Sequence, residues 1–66
     1  MRYEQFRDLV QNDLRLRKGG ATWPTLKARL QLPERTPCYT WIHRLEEEIG
    51  LRRRREPRGM VWYLAD

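Results

Sequence analysis

The feature that most constrains this chain is the change of hydrophobic period at Gly50. Before it, apolar residues return every three or four positions, the spacing that lays one stripe along an α-helix. After it, Leu51 to Arg55 reads as extended and basic, and Glu56-Pro57-Arg58-Gly59 has turn chemistry. Met60-Val61-Trp62-Tyr63-Leu64 is then a run of strand formers. Two short strands joined by a Pro/Gly turn predict a β-hairpin over about residues 51–64. Alternation puts Met60, Trp62 and Leu64 on one face and Val61 and Tyr63 on the other, and the Trp62 face is expected to be buried. A chain that is helical first and ends in one hairpin is mainly α with a small β element, an α+β fold.

Three helices are expected before Gly50. The first, over about residues 3–17, carries Tyr3, Phe6, Leu9, Val10 and Leu14 on one face, with Glu4, Gln5, Arg7, Asp8, Gln11 and Asn12 between them. Arg15, Arg17 and Lys18 suit the negative end of its dipole, and Gly19-Gly20 stops it. Ala21-Thr22 has room only for a brief extended stretch. The second helix, about residues 23–31, is capped by Thr22 or Trp23 and takes Pro24 in its first turn, where no backbone donor is needed. Trp23, Leu26 and Leu30 form its inner face, with Lys27, Arg29 and Gln31 outside. Leu32-Pro33 closes it, and Pro33-Glu34-Arg35 reads as a tight turn. Thr36-Pro37, a capping hydroxyl before a first-turn proline, opens a third helix over about residues 37–49. Cys38, Ile42, Leu45 and Ile49 make its inner stripe, with Trp41 at the margin. Nothing in the chain marks a repeat, a linker or a boundary, so residues 1–66 read as one domain.

Size and charge narrow the function. A domain of 66 residues buries only about 60% of its unfolded surface, which leaves no room for a substrate cleft between layers. An enzyme is not expected. The net charge of +5 favours a polyanionic partner. Arg52, Arg53, Arg54, Arg55 and Arg58 supply five of the fourteen cations within seven positions. Cys38 is the only cysteine, so no internal disulfide is possible, and with His43 it makes too few ligands for zinc. No cofactor or metal is expected. No leader-like or membrane-length apolar run occurs, and the composition suits a reducing cytoplasm, or the nucleoid if the source is bacterial.

The stretch Leu26-Lys-Ala-Arg-Leu30-Gln-Leu32, a short turn, and then Thr36-Pro-Cys-Tyr-Thr-Trp-Ile42-His-Arg-Leu45-Glu-Glu-Glu-Ile-Gly50-Leu51 resembles the second helix, turn and recognition helix of the winged helix-turn-helix family. The basic hairpin from Arg52 to Leu64 looks like that family's wing. The resemblance covers nearly the whole chain and rests on pattern rather than on one invariant string. It implies a three-helix winged domain that binds double-stranded DNA, as a small transcriptional regulator or a mobile-element protein. Two departures stand out: the stretch from Leu45 to Gly50 is slightly longer than usual, and no dimerisation helix follows the wing. A monomer or weak dimer is therefore expected.

The residues themselves point the same way. An α-helix fits the DNA major groove, and its first turns reach the base edges. With the apolar stripe inward, Tyr39, Thr40, His43, Arg44 and Glu47 fall on exposed or flanking faces. Arg44 is the candidate for bidentate contact with guanine, Tyr39 and Thr40 for base or phosphate, and Arg35 and Thr36 sit at the helix start. Arg52 and Arg54 lie on the hairpin face opposite Leu51, while Arg55 and Arg58 approach the tip, positioned for phosphates or the minor groove. The bland alternative is an edge strand charged against aggregation, which needs fewer than five arginines. Lys27 is a further phosphate candidate; for Arg29, Arg15, Arg17 and Lys18, ordinary surface charge is an equally good reading. Glu46, Glu47 and Glu48 restrict groove contact to the first two turns and are available to nearby arginines. Trp23 and Trp62 fall on apolar stripes and are expected in the core rather than stacking on bases, and Cys38 acts there as a small hydrophobe. Two other readings stay open: a winged protein-interaction module docking an acidic partner, and an RNA or single-strand binder.

Overall fold

A computed structural model describes residues 1–32 and 39–65. The order is α1 (Tyr3–Leu16), β1 (Ala21–Thr22), α2 (Trp23–Leu30), α3 (Tyr39–Glu48), β2 (Leu51–Glu56) and β3 (Gly59–Leu64). This is an α+β mixture of three helices and one antiparallel sheet among the described residues. The expected start of the third helix at Pro37, and the inward placement of Cys38, lie outside them.

The brief extended stretch at Ala21-Thr22 proves to be a strand. It pairs with β3, opposite Trp62 and Val61, so the sheet order is β1-β3-β2. In the hairpin, Leu51 lies opposite Leu64, Arg53 opposite Trp62 and Arg55 opposite Met60. Only Pro57 and Arg58 separate the paired Glu56 and Gly59. Proline fixes φ near −65°, which rules out the primed turns that usually close so short a loop. Gly59, at φ 121°, supplies the positive φ instead.

The core fills the space between the helices and the Trp62 face of the sheet. Phe6, Val10, Leu26, Leu45 and Leu51 are wholly buried, joined by Tyr3, Leu14, Ala21, Leu32, Ile42 and Trp62. Truncating one of the central residues, such as Phe6 or Leu26, to alanine costs about 3 kcal/mol, a large share of the stability of so small a domain. Aromatic rings knit the helices to the sheet. Phe6 packs against Trp23 and Trp41 at centroid distances of 6.1 and 5.0 Å, and Trp23 stacks on Trp62 at 5.4 Å. Trp23 and Trp41 are half-buried.

Three burial expectations need correction. Leu9 is 39% exposed, because the stripe runs through Tyr3, Phe6, Val10 and Leu14 and leaves Leu9 on its flank. Asp13 is buried in its stead, at 7% exposure. Met60 shares the Trp62 face but sits towards the hairpin tip, where it is 40% exposed. Val61, on the opposite face, is fully buried, since the chain entering β1 crosses over it. Gly20 makes that crossing possible. At φ 78° a Cβ there would come within 2.6 Å of the Trp62 carbonyl oxygen and 2.8 Å of Val61 Cγ1. Gly20 therefore does more than end α1. The helix boundaries shift by a residue: α1 stops at Leu16, and α2 at Leu30, followed by Gln31 in the left-handed region at φ 54°.

Candidate functional site

Helix α3 is amphipathic over its described length. Ile42 and Leu45 face inward and α3 packs on β2, which leaves Tyr39, Thr40, His43 and Glu47 on the solvent side. Tyr39 is 74% exposed and its ring stacks on His43 at 6.1 Å. The His43 Nδ1 lies 3.2 Å from a Glu46 carboxylate oxygen. Arg35 and Thr36 lie outside the described residues.

Arg44 points elsewhere, towards α1. Its guanidinium sits 3.9 Å from the Tyr3 ring centroid, and its Nε donates to Glu48 at 3.1 Å. Glu48 also accepts from Arg7 Nη1 at 2.9 Å, so one carboxylate joins α1 to the end of α3. These two arginines, Arg7 first, hold the Glu48 carboxyl below its ordinary range. Burial, and then the negative Glu48, raise the Tyr3 hydroxyl above its usual value.

Asp13 does the same between α1 and α2. Its carboxylate accepts from Arg29 Nε at 2.9 Å and from Arg29 Nη2 at 2.5 Å, a two-point contact, with Arg17 Nε 3.6 Å away. The Arg29 hydrogen bonds hold this buried carboxyl below its ordinary range against the opposing effect of burial. Arg29 and Arg17 are thereby committed to internal partners. Lys27, half-exposed on α2, has no ion-pair partner among the described residues.

The hairpin arginines divide by face. Arg52 and Arg54 lie with Val61 and Tyr63 on the side away from the helices. Arg54 bonds the Glu56 carboxylate and rests over the Tyr63 ring at 4.6 Å. Glu56 also accepts from Arg58 Nε at 3.2 Å, while Arg58 Nη2 donates to the Gly19 carbonyl at 3.1 Å. Arg52 donates to its neighbour Leu51's carbonyl. Arg53 and Arg55 lie on the other side, with Leu51 and Trp62, and their side chains have no hydrogen-bond or ion-pair partner among the described residues. Arg53 lines a groove between the hairpin and the starts of α2 and α3, together with Trp23, Pro24, Ile42 and Met60.

Arg53 is the residue that sequence reasoning passed over. The signal for it was present: Leu51 is apolar and inward, so every second residue after it faces the helices. The arrangement thus sets unpaired cations on the helix side of the hairpin, beside a helix whose outer face is polar at its start. Among the described residues no group of His, Cys, Asp and Glu is placed to hold a metal ion, and no helix is long and apolar enough to cross a membrane. Comparison of the chain with protein-family models, with curated proteins and with solved structures gave no match.

Proposed function

We propose that this chain is a winged helix-turn-helix module that binds double-stranded DNA. The order of helix, strand, helix, helix and hairpin, with β1 joined to the hairpin in one sheet, supports the fold reading. The observation that carries the function is that Arg53 and Arg55, on the side of the hairpin that faces the helices, have no hydrogen-bond or ion-pair partner among the described residues. Most of the other described arginines pair with carboxylates of the domain, whereas these two meet none among the described residues. Phosphates of a duplex lying along α3 would neutralise them, with Lys27, Arg52 and Arg58 at the periphery. Thr40, His43 and Tyr39 would then meet base edges or sugar, and Glu47 limits that contact to the first turns of α3.

The experiment is fluorescence anisotropy with a labelled random-sequence duplex across a salt series. Binding should weaken steeply with salt. T40A or H43A should change the preference among sequences while leaving the salt slope unchanged. No binding to any duplex at low salt would refute the reading. One observation favours a second possibility: β2 is an edge strand of the sheet, and an acidic extended segment could pair along it. Capture of an acidic peptide, with no duplex binding, would establish that alternative.

A further inference from the structure

The groove beside Arg53 has a composition that duplex binding does not explain. It has a volume of about 350 Å³, within the range of pockets that hold small organic molecules. Its floor is apolar: the stacked Trp23–Trp62 pair, Ile42 and the half-open Met60. Its rim is cationic, with Arg53 unpaired among the described residues and Arg58 shared with Glu56. Among the described residues no carboxylate lines it. The first turn of α2 borders the opening and adds the positive end of its dipole.

From this pairing of flat apolar floor and cationic rim we infer that the groove binds a free small aromatic anion, a planar ring bearing one carboxylate or phosphate. The ring would lie against Met60 and the tryptophan pair, and the charged group would meet the Arg53 guanidinium. A neutral ring leaves Arg53 without a partner, and a ring-free anion leaves the floor wet. Both halves are needed. The site itself stands on the groove alone. Its regulatory consequence rests on the duplex reading: a ligand that occupies Arg53 removes a phosphate contact, so ligand and duplex compete.

The test is an NMR titration of the full chain with 2-naphthoate, without DNA. The three indole N–H signals report separately. Those of Trp23 and Trp62 should shift saturably, while that of Trp41, which does not line the groove, should stay in place. 2-Naphthamide and inorganic phosphate should not saturate in the same range. R53A should weaken the affinity about tenfold, as loss of one charge-assisted hydrogen bond does. M60A should weaken it less, and R15A, which removes a solvent-exposed cation on α1, should not change it. Equal binding of the amide, an unchanged affinity in R53A, or no saturable shift at millimolar naphthoate would each overturn the site. Concentration-dependent shifts of Trp23 and Trp62 without ligand would overturn it too, by showing that a second copy of the chain fills the groove. Should naphthoate bind while the protein fails to bind duplex, the site stands and the duplex reading falls.

Discussion

Two arginine-rich regions of this small domain use the same side chain for opposite purposes. Where α1 meets α2 and α3, Arg7, Arg29 and Arg44 are each held by a carboxylate, Glu48 or Asp13, and Arg44 also covers the Tyr3 ring. On the helix side of the hairpin, Arg53 and Arg55 have no such partner among the described residues. The first group fastens helices together. The second leaves positive charge directed outward from a fixed strand. Counting arginines cannot separate these roles; only the carboxylates around them can.

The sharpest way to break the contrast is to remove the unpaired pair. R53A/R55A should lower duplex affinity on every sequence by about thirtyfold or more at low salt and flatten the salt slope by roughly two phosphate contacts. Stability should change by less than about 0.5 kcal/mol, as for other exposed side chains. Anisotropy and thermal melts on the same samples check both halves. A melt that drops while affinity holds would reverse the assignment.

Removal of an internal carboxylate should do the opposite. D13A strands the partly buried Arg29 and should cost about 2 kcal/mol, less than a fully buried pair because Arg29 still reaches water. A loss of that size lowers the melting temperature of so small a domain by roughly 10 °C, with duplex affinity of the folded fraction unchanged. The same pair gives a pH dependence. The Asp13 carboxyl titrates lower folded than unfolded, so the unfolded chain takes up its proton first. The stabilisation is complete above the ordinary aspartate pKa and disappears as the pH falls through the lowered folded value. Urea melts at pH values below about 4 should therefore show a falling midpoint in the wild type and a shallower fall in D13A.

Smaller effects sharpen the boundary between the regions. R44A loses an exposed ion pair and a cation–π contact and should cost about 1 kcal/mol of stability, with little change in duplex affinity. R54A, whose charge is already shared with Glu56, should weaken binding only about twofold. If R44A weakened binding as much as R53A, the duplex would have to reach the α1 side of α3.

Much of this architecture is legible along the chain, because periodicity is local. The α1 stripe apart from Leu9, the inward Ile42 and Leu45 of α3, the two hairpin strands and the inward Trp62 follow from spacing. What escapes is non-local. Asp13 reads as one more polar residue of α1 until α2 brings Arg29, sixteen residues away, onto it. Gly20 reads as a helix stop until β3 passes within van der Waals contact of it. Arg44 reads as a groove-facing residue on the helix wheel, yet the packing of Tyr3 and Glu48 turns it aside. Arg53 was within reach of alternation alone, but a run of four arginines hides the two faces of the strand that carries it.

The central claim is that the start of α3 and the helix side of the hairpin form one duplex-binding surface. An NMR titration of the isotope-labelled chain with a random-sequence duplex at low salt tests it most directly. Perturbations confined to residues 39–43 and to Arg53, Arg55 and their strand neighbours, with α1 silent, are the predicted result. Perturbations centred on α1, or on Arg52 and Arg54 with Arg53 and Arg55 unmoved, would contradict it.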